Sequence, residues 1–138
     1  SFDHADLATL SAEDVTSQLS RTDEEIQNLV GHSATVVRPP YGSFNDTVAG
    51  IAARPLIMWS VDTLDWETQN ADSTVQNVMD NAQDGSIILM HDIFKESVDA
   101  AEVFIPQLIQ EGYQLVTVSE LAAAKGITLE AGTSYGAF

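Results

Sequence analysis

The chain has 138 residues, of which 44% are hydrophobic, so it is long and apolar enough to form one domain or a large piece of one. Its formal net charge of -16 argues against nucleic acid as a partner and against direct binding to anionic membranes, and the lack of cysteine excludes disulfides and thiolate metal sites. No apolar run approaches the roughly 20 residues that cross a bilayer.

The first half of the sequence alternates between helical and extended patterns. Apolar residues at helical spacing predict a helix between Ser11, the expected N-cap, and Gly31, the expected stop. The run TVVR, 35–38, predicts a short buried strand, and residues 45–54 predict a short helix. The run PLIMWSVD, 55–62, predicts a second strand because it is nearly all apolar before its final aspartate.

The second half repeats this alternation. Residues 71–85 predict a helix that is closed by a glycine, and residues 86–92, SIILMHD, predict a third buried strand. Residues 97–112 are amphipathic, although Pro106 must kink this helix or start a new segment. Residues 113–126 predict a fourth strand followed by a last helix.

The alternation predicts an α/β fold. Strands that are apolar on both faces and alternate with helices indicate parallel strands under a layer of outer helices. Residues 1–126 are expected to belong to one domain. Residues 127–138 are small and polar, and we expect them to form an irregular C-terminal tail.

Polar and charged residues follow three of the predicted strands at the point where each strand ends. Arg38 follows the first strand, the run DTLDW (62–66) follows the second, and His91 and Asp92 follow the third. Because functional residues of parallel α/β folds gather at the carboxyl edge of the strands, we expect these side chains to meet at one edge.

Each of these residues has both a chemical and a structural interpretation. His91 could transfer protons, since histidine titrates near neutral pH, or it could bond a neighbouring loop. Asp62 and Asp65 could hold an imidazole in place, or they could begin a turn by bonding the backbone. Trp66 could line a small apolar pocket or belong to the core.

Arg38 also has two interpretations. It could form a surface ion pair that contributes little to stability. Alternatively, Pro39 and Pro40 stiffen the backbone directly after it, and a guanidinium on a stiff stem can hold a carboxylate through two hydrogen bonds. We therefore expect Arg38 to orient an acid of the active site.

Taken together, these stretches resemble polysaccharide deacetylases of the NodB homology type, carbohydrate esterase family four. RPPYG (38–42), DTLDW (62–66) and IILMHD (87–92) are similar to three consecutive motifs of that family, in the same order. The amino-acid sequence around these motifs is most similar to that of Gram-positive peptidoglycan N-acetylglucosamine deacetylases. The resemblance implies that the chain is part of a distorted (β/α) barrel with parallel strands and outer helices.

The resemblance also implies a divalent metal, zinc, with cobalt or nickel as alternatives. SFDH, residues 1–4, matches the last four positions of the metal-binding motif, which makes His4 the second metal histidine. The first histidine of that motif and the motif that supplies two aspartates are absent. The chain is therefore expected to be the C-terminal portion of the domain. Either its partner is the N-terminal fragment of the same domain, held as a separate polypeptide after cleavage, or the chain is an isolated fragment.

The resemblance assigns a catalytic role to three residues. His91 would be the general acid that protonates the leaving amine, and Asp65 would keep it charged. Arg38 would position an upstream aspartate that acts as the base. The implied substrate-binding residues are Tyr41, through its backbone N–H at the oxyanion, and Trp66 and Leu89, around the acetyl methyl group.

The expected activity is hydrolytic removal of acetyl groups from N-acetylated glycans, peptidoglycan or chitin-like N-acetylglucosamine, outside a bacterial cell or on its surface. Two alternatives stay open. The first is an O-acetyl xylan esterase of the same family, because loops set the substrate groove. The second is a non-catalytic glycan-binding or scaffold module, because this chain lacks part of the metal site. The charge of -16 would repel polyanionic wall polymers such as teichoic acids.

Overall fold

The computed structural model describes all 138 residues as a mixed α/β chain with parallel strands. The four strands are β1 (Leu56–Ile57), β2 (Val61–Asp62), β3 (Ile88–Leu89) and β4 (Ser134–Tyr135). The α-helices are α1 (Ala12–Val30), α2 (Asp46–Ala52), α3 (Asp65–Thr68), α4 (Ala71–Asn81), α5 (Lys95–Gln110) and α6 (Val118–Ala124). Two 3-10 helices span Leu7–Thr9 and Pro40–Gly42. No helix is long and apolar enough to cross a membrane.

The chain divides into two compact units. The first comprises Ser1–Met58 with Thr128–Tyr135, and the second comprises Trp59–Ile127 with Gly136–Phe138. Each unit has its own pair of parallel strands, β1 with β4 in the first and β2 with β3 in the second. No closed barrel is present in this chain.

The first unit is built on α1, and the predicted helix boundaries are confirmed. The Ser11 side chain accepts a hydrogen bond from the backbone N–H of Asp14, and Gly31 ends the helix with φ of 83°. α2 begins after Asn45, which caps it in the same way. The core of this unit consists of apolar side chains from both helices and β1: Leu7, Val15, Leu19, Val37, Val48, Ala52 and Leu56.

Two predictions in this unit need correction. The expected strand 35–38 is reduced to an isolated parallel bridge between Val37 and Leu56. The segment 127–138 is not irregular throughout, because Ser134–Tyr135 forms β4 and pairs with β1. The backbone N–H of Leu56 and that of Met58 donate to carbonyls of this segment. The small, polar composition of residues 127–138 gave no indication that part of this segment pairs with β1.

The second unit contains the pairing of β2 with β3, in which Val61 lies opposite Ile88 and Asp62 opposite Leu89. The predicted single strand 55–62 is therefore split, since β1 and β2 have different partners. α4 packs on α5. Their interface is apolar and includes the buried residues Val78, Ala100, Phe104 and Leu108.

The helices of the second unit differ from prediction at two places. α4 ends at Asn81, before the glycine at which it was expected to close. Gly85 lies beyond the helix, with φ of 92°, and a Cβ there would clash with the backbone oxygen of Phe138. α5 continues through Pro106 without starting a new segment, because both Pro106 and Glu102 are exposed and water can replace the lost hydrogen bond.

The predicted fourth strand, at 113–117, does not form. Residues 114–117 are exposed and have no strand partner in this chain. Thr117 is the N-cap of α6 in a reciprocal capping box with Glu120, which commits this residue to the helix start. The predicted helix that follows is confirmed as α6.

Candidate active site

The turn after β2 is tied to β3 by a threonine. The Thr63 hydroxyl donates to the carbonyl of Leu89 at 2.8 Å and lies 3.4 Å from the backbone N–H of Asp65. Leu64 takes a left-handed conformation with φ of 56°, and Asp62 accepts a hydrogen bond from its N–H. The turn interpretation is thus correct for Asp62, whereas Asp65 is left to face another group.

The carboxylate of Asp65 is buried and accepts four hydrogen bonds. Its Oδ1 lies 2.8 Å from His91 Nδ1 and 2.9 Å from the backbone N of Trp66. Its Oδ2 accepts from the backbone N–H of His91 at 2.7 Å and from the Ser97 hydroxyl at 2.6 Å. Asp65 and Ser97 are each only 1% exposed. Every lone-pair direction of the carboxylate is therefore occupied.

These hydrogen bonds determine the charge of Asp65. Burial alone would raise its pKa, but the hydrogen bonds from Ser97 and His91, together with the charge of His91, outweigh burial and lower the pKa below the ordinary value. Asp65 is therefore an anion near neutral pH and can only accept hydrogen bonds.

The anionic carboxylate fixes the tautomer of His91. Because Asp65 cannot donate, Nδ1 of His91 must carry the proton that lies between them. Nε2 is then the nitrogen that can gain or lose a proton. The His91 side chain is 32% exposed, in contrast to the buried carboxylate. The pair thus has one buried anchor and one ring that can exchange protons with a ligand.

Ser97 was missed in the sequence because it lies within an amphipathic helix. A signal was nevertheless present. Ser97 shares the buried stripe of α5 with Ala100, Phe104 and Leu108, and a hydroxyl on such a stripe requires a polar partner.

Arg38 belongs to the first unit, where backbone carbonyls hold its guanidinium. Its Nε donates to the carbonyl of Ile57 and one terminal nitrogen donates to that of Met58, both at 3.1 Å. Partial burial lowers the pKa of Arg38, yet the group stays charged. It has no ion pair within this chain. Since a guanidinium has five N–H donors, it retains donors for an acid from elsewhere.

Tyr41 and His4 also belong to the first unit, and the structure brings them together. Their rings meet edge to face with centroids 4.9 Å apart. Both backbones are left-handed, with φ of 60° for Tyr41 and 63° for His4, and both side chains are exposed. Non-glycine residues adopt this conformation rarely, so the RPPYG segment and the SFDH segment each hold a strained residue.

The residues of this chain do not form a complete metal site. No group of three or more His, Asp or Glu side chains is placed to hold a metal ion. His4 is a single candidate ligand, and a protein-bound metal ion such as zinc needs further ligands.

Trp66 and Leu89, the two residues expected around the acetyl methyl group, differ in their exposure. Trp66 is 48% exposed and is therefore not a core residue, whereas Leu89 is buried in β3. A groove of about 330 Å³ in the first unit, between α1 and α2, contains none of the predicted site residues. The convergence of Arg38 and His91 at one edge stays a prediction.

Comparison with known proteins connects this geometry to a family. Residues 1–55 match the family model described as polysaccharide deacetylase. The chain is 41% identical over 125 residues to the peptidoglycan-N-acetylmuramic acid deacetylase PdaC of Bacillus subtilis, covering 91% of this chain and 27% of that protein. It is 38% identical over 135 residues to the peptidoglycan-N-acetylglucosamine deacetylase PgdA of Listeria monocytogenes, covering 98% and 28%. The chain thus spans about a quarter of these relatives' length.

Solved structures agree with this placement. A deacetylase named T48, solved with substrate, matches with a TM-score of 0.92 and 39% identity over 97% of this chain and 66% of that chain. A family 4 acetyl xylan esterase from Clostridium thermocellum, in complex with a cobalt ion, matches with a TM-score of 0.90 and 25% identity over 98% and 68%.

One neighbour bears on the non-catalytic alternative. A CE4 family pseudoenzyme from Bacillus anthracis matches with a TM-score of 0.80 and 34% identity over 86% of this chain and 43% of that chain. Fold similarity alone therefore does not separate enzymes from inactive relatives. The Xyl-CE4 domain of a multidomain xylanase from the hindgut metagenome of Trinervitermes trinervoides is 31% identical, with a TM-score of 0.89, over 97% of this chain and 67% of that chain. The chain therefore belongs to the polysaccharide deacetylase family, carbohydrate esterase family 4.

Proposed function

We propose that the complete domain to which this chain belongs hydrolyses N-acetyl groups on glycans, with peptidoglycan as the substrate. The observation that carries the proposal is the Asp65–His91 pair, in which a buried anion fixes the tautomer of a partly exposed imidazole. Such an arrangement suits a general acid. The similarity to two peptidoglycan deacetylases supports the choice of glycan.

The acid–base chemistry follows from the atoms of the pair. Hydrolysis of the acetamide adds water to the carbonyl carbon and breaks the C–N bond. The leaving nitrogen needs a proton, and the imidazolium form of His91, which Asp65 stabilises from the buried side, supplies it from Nε2 and becomes neutral. The proton of the attacking water goes to a base that this chain does not supply.

The other roles are proposed from the family resemblance. Arg38 orients the carboxylate of that base, with the donors that its carbonyl contacts leave over. Tyr41 stabilises the oxyanion through its backbone N–H. Trp66 and Leu89 contact the acetyl methyl group. We further propose that this chain forms part of a (β/α) barrel together with the N-terminal portion of the same domain.

A divalent metal, zinc in this proposal, would add a Lewis acid in the complete domain. His4 is the residue of this chain that would bind it. Because no complete ligand cluster is present here, only the acid step above rests on this chain's own residues, His91 and Asp65.

The test is to replace His91 with Asn in the full-length protein. We expect acetate release from N-acetylglucosamine oligomers and from peptidoglycan to fall at least about a hundredfold, the usual contribution of a general acid. His32→Asn is the matched control, since His32 is an exposed histidine that bonds only the Ser33 carbonyl. A His91→Asn variant within a few-fold of the control would remove the acid role.

Two alternatives have specific support. The similarity to an acetyl xylan esterase favours an O-acetyl substrate, and acetate release from acetylxylan measured beside the N-acetylated glycans separates the two. The similarity to a pseudoenzyme favours a non-catalytic glycan-binding module. An upstream segment without metal-binding aspartate and histidine, with no acetate released from any glycan, would favour that module.

The proposed location is the outside or the surface of a bacterial cell.

A further inference from the structure

The Ser97 hydroxyl occupies an unusual position for a helical residue. It lies on the buried stripe of α5 and is 1% exposed. Alanine would fill most of the same space, and a buried hydroxyl costs free energy unless it is hydrogen-bonded. Its partner is the charged oxygen Oδ2 of Asp65 at 2.6 Å, which makes this a strong, charge-assisted hydrogen bond. The residue therefore does more than pack.

The four donors around Asp65 come from different parts of the second unit. Two come from His91 itself and one from Trp66, the neighbour of Asp65 in α3. Ser97 is the only donor from α5. It is thus the one contact that ties the carboxylate to an element outside the turn and the histidine segment.

No other charged residue of this chain forms an ion pair with Asp65 or His91. Asp65 is the only acid that forms an ion pair with His91. Lys95 of α5 pairs with Asp99 instead. The remaining charged residues of the neighbouring segments have no ion pair with either member: Asp62, Glu67, Asp92 and Glu96.

We propose that Ser97 is a positioning residue of the acid–base pair, whose hydroxyl fixes the Asp65 carboxylate so that Oδ1 points at Nδ1 of His91. This inference rests on the proposed function for its catalytic consequence but not for its structural one. By donating to Oδ2, the Ser97 hydroxyl takes up part of the negative charge of the carboxylate and so weakens the attraction of Asp65 for the Nδ1 proton of His91. Both orientation and proton affinity should therefore change when the hydroxyl is removed.

The experiment compares Ser97→Ala with Thr74→Val in the full-length protein. Thr74 is a matched control because its hydroxyl is also buried in the second unit but has no hydrogen-bond partner. For Ser97→Ala we expect kcat on the N-acetylated glycan to fall about tenfold, a fraction of a general acid's contribution. KM should stay within about twofold, since a buried serine does not touch substrate.

The pH profile and NMR give readouts that a merely structural role would not move. The alkaline limb of kcat/KM for Ser97→Ala should move to higher pH by roughly half a unit, because three donors instead of four share the carboxylate charge. The ¹⁵N signal of His91 Nδ1 should shift in Ser97→Ala and stay in place in Thr74→Val.

The outcomes separate the two proposals. If the unmodified protein releases acetate but Ser97→Ala matches Thr74→Val in kcat, pH profile and Nδ1 signal, the role of Ser97 is overturned while the function stands. If the unmodified protein is inactive on every glycan, the proposed function fails, and the Nδ1 signal alone decides on Ser97. A shifted signal then supports the positioning role and an unchanged one refutes it.

Discussion

The candidate site residues of the two units differ in how many of their hydrogen-bonding and metal-binding partners this chain supplies. In the second unit, the Asp65 carboxylate has four donors and lacks nothing. In the first unit, Arg38 bonds two carbonyls without an acid, and His4 has a ring contact without co-ligands. The acid side of the proposed chemistry is therefore built within this chain, whereas the base and metal side depends on residues that it does not contain.

Replacing Asp65 with Asn should disrupt the hydrogen bonds around this carboxylate, and we expect the largest effect on stability and activity from this substitution. An amide puts an N–H₂ against groups that already donate, so we expect the free energy of unfolding to fall by about 3 kcal/mol. Acetate release should fall at least about a hundredfold, because the His91 tautomer is no longer fixed. Denaturant unfolding and acetate release of the full-length protein measure both. Asp62→Asn is the control, since Asp62 accepts only from Leu64 and should cost under about 1 kcal/mol.

The same substitution should make the stability difference depend on pH. The pKa of folded Asp65 lies below the ordinary value of 3.8, so its contribution is fully present above that value and is lost as pH falls through the folded pKa. The gap in stability between the unmodified protein and Asp65→Asn should therefore narrow below about pH 4. A gap that stays constant down to pH 2 would contradict an ionised Asp65 in the folded state.

Replacing Arg38 with Ala should affect activity more than stability. Arg38 bonds two neutral carbonyls at the end of β1 and has no ion pair, so we expect its loss to lower the free energy of unfolding by about 1 kcal/mol. Acetate release should fall roughly tenfold to a hundredfold if its free donors orient the base. Arg54→Ala is the control, since Arg54 pairs with Asp23 within the chain and should lose stability without a specific loss of kcat. The opposite pattern would make Arg38 a structural residue.

The sequence predicted helices better than strands for a physical reason. α1 carries its own periodicity and both of its end signals, Ser11 and Gly31, within a single segment. A strand exists only through its partner, and nothing near β1 in the sequence indicates that Ser134 lies beside Leu56. Exposed residues 114–117 have the composition of a strand but no partner in this chain.

The site shows the same division. His91 and Asp65 were predicted from their order after buried strands, and the structure places them in contact. The contacts of Arg38 with carbonyls could not be predicted, because they depend on where Ile57 and Met58 lie in space. The periodicity of the α5 segment predicted a helix and gave Ser97 no further role. Only the polarity of Ser97 on the buried stripe distinguished it from the apolar residues beside it.

Thr74 gives the sharpest comparison with Ser97, with the smallest expected effect. Both are buried hydroxyls in the second unit, but Ser97 bonds a carboxylate and the Thr74 hydroxyl has no partner. Thr74→Val keeps the shape and removes an unsatisfied polar group, so we expect the free energy of unfolding to rise by about 1 kcal/mol with unchanged kcat. Denaturant unfolding of the full-length protein measures it, with Ser97→Ala losing stability beside it. A comparable loss in Thr74→Val would show that burial of a hydroxyl in this interface, rather than its hydrogen bond, is what the helix pair requires.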